Sequence, residues 1–535
     1  MEEKINQKPC VVQKIETPQG FSVSYKEHFL YSKYNPSKNI ITAVEKLQLL
    51  PGTIILCYSP LLGYGLSELT KKLPENCLII LCEKEQALYD FSASEGIFTQ
   101  NDERIKSYSF DTLFYLPAVI LELAKSGLYK RVIRLDMSAG IQFNKDFYDN
   151  LYKSCTDALM VFWKNRLTLT KFGRRYSRNL FENLHYLGNS RPISDFTRKV
   201  TKPIIVFGAG QSTQTFLDKN KILRDNYFIL CADTALQPLL KNGIKPDGVF
   251  IEEAQSVIIK AFIGIPDDIQ IFAGLSSIPN ITHKFKTNKI SYFLTAYTNA
   301  EFINDLIKKN FIPQWNMPMG SVGLTAVYYA LLFRKDESVP VFVTGLDFSY
   351  STGLTHTKGA LAHIVRLFTS HRLNPIGNYN SAFGIAAEKI IDKSGKTFTT
   401  IPTLKSYAEM FNEWFGKTKN IFDAGESGIP LAIQRAVPEA SDKQDLQLNN
   451  TSFSDVQKSE LQNYLNNEKK SLEYLRDLLT GKTDFTGEKL SEEIKKIAEP
   501  REYLYLHFAD GWKFSNSQSF LNRIRTEIDY FLKFM

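Results

Sequence analysis

Short, continuous apolar runs recur along this chain, most of them ending at a glycine, an acid or a hydroxyl residue and leading into a stretch with helical spacing. Thr53 to Tyr58, Cys77 to Cys82 and Arg131 to Leu135 are the first. Lys202 to Phe207, Tyr227 to Ala232, Gly248 to Glu252, Ile269 to Ala273, Ile290 to Leu294 and Val339 to Thr344 form a second series. A strand that is apolar on both faces must be covered on both, and strands of this kind alternating with helices build parallel sheets between helix layers. The expected fold class is therefore α/β and multi-domain: a Rossmann-like N-terminal domain, a central doubly wound α/β domain and a C-terminal helical domain.

The pattern also suggests where the domains divide. Residues 1–157 hold the first strand series. Residues 158–200 read as a basic, helical connector closed by the turn signal Gly188-Asn189-Ser190-Arg191-Pro192. Residues 201–439 hold the second series. Within 440–535, Gly, Pro and strand runs thin out, and Leu461, Leu465, Leu472, Leu475 and Leu478 recur at helical spacing. Ser454 and Asp455 are capping residues for a helix that stops at Gly481. This last segment reads as a helical domain for packing, homo-oligomerisation or partner binding.

Composition narrows the function classes. With 43% hydrophobic and 23% charged residues, extended disorder is excluded as the dominant state. The net charge of +8 suits anionic ligands but does not call for nucleic acid. The densest basic stretch, Lys164, Arg166, Lys171, Arg174, Arg175 and Arg178, reads as a solvated helical face. Cys10, Cys57, Cys77, Cys82, Cys155 and Cys231 show neither a C-x-x-C pair nor zinc spacing, which suits small buried hydrophobes in a reducing compartment. Met1 to Gly20 lacks the apolar core of a signal peptide, and no apolar run is long enough to span a bilayer. The expectation is a cytoplasmic protein without a membrane partner.

Chemistry concentrates in five motifs. Gly208-Ala209-Gly210-Gln211-Ser212 follows a strand and opens a helix, as an anion-receptive helix start or as a structural turn. Asp233 and Thr234 stand at the next strand end, where they can contact a ribose or base, or cap a helix. Gly243 to Glu253 contains the Pro246-Asp247 turn and a strand ending in Glu252 and Glu253. Gly320, Ser321 and Gly323 open an apolar helix, another anion-receptive start. Finally, Asp347 lies in Gly345-Leu346-Asp347-Phe348-Ser349-Tyr350, and His356 in the following Thr- and Gly-rich loop, where a proton-transfer or phosphate role competes with a plain surface histidine.

The order GAGQS, CADTAL, GIKPDGVFIEE, MGSVGLTA, GLDFSY and THTKG resembles the motility-associated factor (Maf) glycosyltransferases of flagellated bacteria over residues 20–430. The stretch from Gly320 to Tyr350 is similar to bacterial sialyltransferases. The resemblance implies a sialyltransferase-like central domain that moves a nonulosonic acid from a CMP-activated donor to Ser or Thr of flagellin, with no divalent metal required. It implies that Gly208, Gly210, Gln211 and Ser212 hold the nucleotide phosphate and that Asp233 and Thr234 lie near the nucleoside. Asp247, Glu252 and Gln255 join the substrate site, with Glu252 and Glu253 standing where the family carries an Asp. Gly320, Ser321 and Gly323 line the donor site. Asp347 orients the catalytic loop and His356 acts as the base, with His363 and His371 as alternatives. The same motif set resembles hydroxymethylpterin diphosphokinases, and a non-catalytic flagellin-binding assembly factor is a further reading. Gly63, Gly65 and Glu83 resemble a nucleoside-binding Rossmann site, read here as structural.

Overall fold

The computed structural model describes residues 11–99, 101–220, 224–295, 297, 301–312, 319–351, 353–375, 384, 386–439 and 452–535. Cys10 and the expected boundary at 440 lie outside the described residues. The chain divides into two compact units, Met1–Lys171 with His507–Lys513, and Phe172–Leu506 with Phe514–Met535.

The first unit opens with an antiparallel meander, β1 (Gln13–Thr17), β2 (Gly20–Tyr25) and β3 (His28–Phe29). A four-stranded parallel sheet follows, β4 (Thr53–Tyr58), β5 (Leu78–Cys82), β6 (Ile105–Tyr108) and β7 (Arg131–Asp136), in the order β6-β5-β4-β7. Helices α1 (Lys38–Lys46), α2 (Leu66–Lys72), α3 (Gln86–Ser94) and α4 (Leu116–Ala124) fall between strands. Alternate residues of β4 enter different cores: Ile54, Leu56 and Tyr58 join one cluster, Ile55 and Cys57 the other. Both faces of the sheet are thus covered, as the unbroken apolar run requires.

The meander has a core of its own with the segments that follow β4 and β5: Val23 and Tyr25 share a cluster with Leu61 and Leu88. Tyr31 is buried, with its hydroxyl donating to Pro60 O at 3.0 Å, and it packs in one cluster with Leu30, Leu61 and Leu88. Glu83 is fully buried; Oε1 accepts from Tyr148 Oη and Glu85 N, each at 3.0 Å. Its carboxylate is part of the interior, in keeping with a structural role.

Helix α5 (Lys145–Leu187) runs through most of the expected connector, and the division between units falls inside it. A single uninterrupted helix has no linker-like break at 157, because nothing between Asp146 and Leu187 is a helix breaker apart from Gly173. Its basic stretch is not simply a solvated face. Arg166 is buried, with Nη2 donating to Phe508 O at 3.0 Å. Arg174 donates through Nε to Glu527 at 2.7 Å and lies 3.7 Å from the ring centroid of Tyr530. The guanidinium fork and its aliphatic stem satisfy carbonyls and cover rings where a lysine would reach for water.

The second unit is built on an eight-stranded sheet. Its strands are β8 (Ile204–Phe207), β9 (Phe228–Ala232), β10 (Gly248–Ile251), β11 (Gln270–Gly274), β12 (Ile290–Phe293), β13 (Val341–Thr344), β16 (Ile421–Asp423) and β17 (Gln434–Arg435). β14 (Glu388–Ile391) and β15 (Thr397–Thr400) form a separate antiparallel pair. The large sheet is parallel throughout, in the order β12-β11-β10-β9-β8-β13-β16-β17. Helices α6 (Ser212–Lys219), α7 (Leu236–Lys241), α8 (Pro279–Thr282), α9 (Glu301–Lys308), α10 (Val322–Phe333) and α11 (Leu361–Thr369) occur along it. Helix α10 packs Leu324, Val327 and Phe333 into the same core as Val206, Leu230, Phe250 and Val343.

The C-terminal helices Asp455–Leu479, Gly487–Ala498 and Gln518–Phe531 belong to this second unit. Ser454 and Gln457 form the capping box of the first, and its leucine stripe is buried as the spacing predicts. Phe181 meets Tyr503 and Phe531 edge to face, and Tyr464 Oη donates to Phe302 O at 2.6 Å.

Candidate functional site

The large sheet reverses its order of growth at β8: β9 to β12 extend to one side, and β13, β16 and β17 to the other. Beyond the carboxyl ends of β8 and β13 the two connections diverge, and open α/β sheets take their ligands in that crevice. A cavity of about 240 Å³ lies there. Gly208–Gly210, Ala232–Thr234, Gly320–Gly323, Gly345–Ser349, Thr355, His356, Leu404 and Tyr407 line it.

Glycine sits where backbones meet. Gly208 N donates to Thr344 O and Gly210 N to Gly345 O, each at 2.8 Å. A Cβ on Gly208 would stand 2.3 Å from Gly345 O, and Gly345, at φ +74°, would place one 2.1 Å from Thr213 Oγ1. No larger residue fits this crossing.

Helix α6 starts against a carboxylate of the protein itself. Ser212 N donates to Asp347 Oδ2 at 2.8 Å, Ser212 Oγ donates to Asp347 Oδ1, and Gly345 N donates to Ser212 Oγ at 2.8 Å. Burial raises the Asp347 carboxyl to about 6, against the lowering effect of the Ser212 hydrogen bonds and of Lys393. Asp347 therefore takes the anion position at the α6 N-terminus and joins the first motif to the last. Helix α10 differs, since Ser321 provides no side-chain cap and the first helical residues line the cavity. Its N–H groups are the ones left for an anionic ligand.

Two titratable groups share the wall. Asp233 is buried; its Oδ1 accepts from Thr234 N at 2.6 Å and Thr234 Oγ1 at 2.8 Å, and burial raises its carboxyl to about 6. The other oxygen, Oδ2, has no partner among the described residues. Burial, with the positive charge of Arg366 adding to it, lowers the His356 imidazole below its ordinary value. The His356 loop is pinned to the glycine turn by Thr357 N donating to Ala209 O at 2.8 Å. Gln211 Nε2 holds the same loop through Ser351 Oγ at 2.6 Å and Leu354 O at 2.7 Å.

Strain and an unmet hydroxyl mark the floor. Phe348 adopts φ +48°, a left-handed conformation that costs an aromatic residue energy. Ser349 Oγ is buried without a partner among the described residues. Tyr407, from the helix Pro402–Phe415, closes the cavity next to Gly320. Among the described residues, no group of three or more His, Cys, Asp or Glu is arranged to hold a metal ion.

The structure thus brings Gly208, Gly210, Asp233, Thr234, Gly320, Ser321, Gly323, Asp347 and His356 to one cavity, with Ser212 immediately behind. Other expected site residues stand elsewhere. Asp247 lies at the amino end of β10, where Oδ2 accepts from Ile229 N at 2.8 Å. Glu252 ties β10 to its neighbours: Oε1 accepts from Thr295 Oγ1 at 2.6 Å and Oε2 from Thr325 Oγ1 at 2.7 Å. Gln255 leads into the turn Ser256–Phe262, and Gln211 is a loop tether. His363 and His371 make local backbone contacts, with Gly359 N and Leu373 N, outside the cavity wall. Tyr407, Leu404 and Arg366 carried no sequence signal beyond residue type, and Thr355 stood in the His356 motif without a role assigned to it.

Fold and cavity together define a doubly wound parallel α/β protein with a cavity at the switch point of its sheet. Residues 178–353 match the family described as 6-hydroxymethylpterin diphosphokinase MptE-like. A Treponema pallidum (strain Nichols) protein described as uncharacterized is 29% identical over 559 aligned residues, covering 97% of this chain and 94% of its own. The solved MAf glycosyltransferase of Magnetospirillum magneticum AMB-1 is similar in fold, with a TM-score of 0.53 at 12% identity over 99% of this chain and 91% of that one. The described residues contain no helix long and apolar enough to cross a membrane.

Proposed function

We propose that this protein is a cytoplasmic glycosyltransferase. It moves a nonulosonic acid of the pseudaminic or legionaminic type from its CMP-activated form to Ser or Thr hydroxyls of flagellin, in support of flagellar assembly and motility. The observation that carries the reading is the switch-point cavity, which the uncapped start of α10, His356 and Asp233 line together. The MAf glycosyltransferase fold, matched along nearly the whole chain, supports it. The α10 N–H groups receive the CMP phosphate, and Asp233 and Thr234 lie toward the nucleoside or the sugar. Leaving-group charge is met by helix N–H groups and side chains, so the reaction needs no divalent metal.

A thermal-shift titration with CMP, CDP, UDP, GDP and ATP, with and without magnesium, tests the donor class. A ligand bound to the folded state raises apparent stability by mass action. Selective, metal-independent stabilisation by CMP, reduced by Gly323→Val, is the expected result. A second reading, pyrophosphoryl transfer from ATP, draws on the diphosphokinase-like match over residues 178–353. Stabilisation by magnesium and ATP, with none by CMP, selects it. Silence from every nucleotide leaves a flagellin-binding assembly factor.

A further inference from the structure

On the sugar-transfer reading above, a base must take the acceptor's proton and something must meet the charge on the departing phosphate. The surroundings of His356 divide these tasks. Arg366 Nη1 donates to Thr355 Oγ1 at 2.5 Å, and Thr355 Oγ1 stands 3.1 Å from His356 Nδ1. A guanidinium only donates, so the Thr355 oxygen accepts there. The Thr355 hydroxyl hydrogen then needs an acceptor, and among the described residues His356 Nδ1 is the one within reach. A nitrogen that accepts carries no proton, so the ring hydrogen of the neutral imidazole is on Nε2. Nε2 has no partner among the described residues, and His356 stands on the cavity wall.

We propose that Arg366 and Thr355 are positioning residues that hold His356 as a neutral donor through Nε2–H to the leaving phosphate, and that Asp233 Oδ2 takes the acceptor's proton. The relay excludes the role of base for His356, because the lone pair a base would use is occupied by the Thr355 hydroxyl. A neutral imidazole N–H is too weak an acid to give its proton away, and a phosphate needs none to leave. The acceptor O–H breaks as its oxygen bonds to the anomeric carbon. The bond from that carbon to the phosphate oxygen breaks, and the oxygen keeps the electron pair within the Nε2–H hydrogen bond. The proton passes to Asp233, and His356 ends as it began. Arg366 also opposes formation of the imidazolium by its charge.

Long-range proton–nitrogen correlation on the full-length protein, with its seven histidines labelled with nitrogen-15 in the ring, reads the tautomer directly. His356→Gln assigns the signal. The expected spectrum at neutral pH shows His356 with a bare Nδ1 and a protonated Nε2, and Thr355→Val converts it to a tautomer mixture. A proton on Nδ1 in the unmodified protein overturns the proposal, whatever the substrate proves to be. In transfer assays with a CMP-nonulosonate, His356→Ala loses about 10²-fold or more in kcat. His356→Gln, whose amide still donates, retains about tenfold more than that. Thr355→Val lowers kcat with KM unchanged, and Thr355→Ser restores it. Equal losses in the Gln and Ala variants restore the base assignment. Absence of transfer from any activated sugar overturns the sugar-transfer reading instead, while the spectrum still decides the relay.

Discussion

Gly345 is the residue whose replacement should be felt most. It combines φ +74° with a backbone crossing that leaves no space for a methyl group. Gly345→Ala should lower unfolding stability by about 2–4 kcal/mol, read as a shift in urea midpoint. Asp233 makes a pH-dependent prediction. Its folded carboxyl sits at about 6, above the roughly 3.9 of an unfolded chain. Between those values the native state holds a proton that the unfolded state lacks, so its contribution to stability grows as pH falls through this window and is lost above it. Asp233→Asn should therefore stabilise relative to the natural residue at about pH 7.5, by up to about 2–3 kcal/mol, with the gain fading by about pH 4.5. Thermal denaturation of both proteins across that range checks it. The same protonation predicts that transfer falls as pH drops below about 6, and burial, by lowering the His356 imidazole, favours its neutral form. A pH profile of kcat/KM that is flat down to pH 5 would count against Asp233 as the proton acceptor.

Elements differ in how they are held. The Asp455–Leu479 helix is secured at its start by the Ser454–Gln457 box and at its middle by Glu468. Arg501 clasps Glu468 through two hydrogen bonds, 2.9 Å from Nε and 2.8 Å from Nη2, and Tyr503 Oη donates to the same carboxylate. Both charged side chains are largely buried, so removing one leaves the other unpaired in a poor solvent for charge. Glu468→Ala should cost about 3–5 kcal/mol, whereas Ser454→Ala should cost about 1 kcal/mol. Denaturant titration of the two variants side by side tests that ranking. Helix α6 is a third case: its start is satisfied by Asp347, whose partner Ser212 lies 135 residues away in sequence. That contact turns the first glycine motif, expected to cradle a phosphate, into the seat of an internal carboxylate. The expectation passes to α10, whose start has no such occupant.

At the scale of the whole chain, the C-terminal helices share their unit with the large sheet and cover Phe181 and Phe302. Removing residues 452–535 should expose those rings and give insoluble protein on expression, measured as the soluble fraction. Most of the parallel strands, their helix layers, the helical C-terminal segment and four of the five motifs, those that line the cavity, were legible in the sequence. Each is announced by neighbours a few residues apart: an apolar run, a glycine that permits a turn, a capping serine. The strands β16 and β17 and the first meander were not: β3, β16 and β17 have only two or three residues, and β1 and β2 interleave polar residues where the legible strands run continuously apolar. The sequence by itself determined the layers and most of the residues that gather at the carboxyl ends of the strands. Only the tertiary structure decided that Asp347 caps α6, that Asp247 faces the other end of the sheet, that Tyr407 closes the cavity and that Arg366 reaches Thr355. Those outcomes depend on which polar group from a distant segment arrives at hydrogen-bond distance once the sheet has reversed at β8, and spacing along the chain carries no record of that meeting.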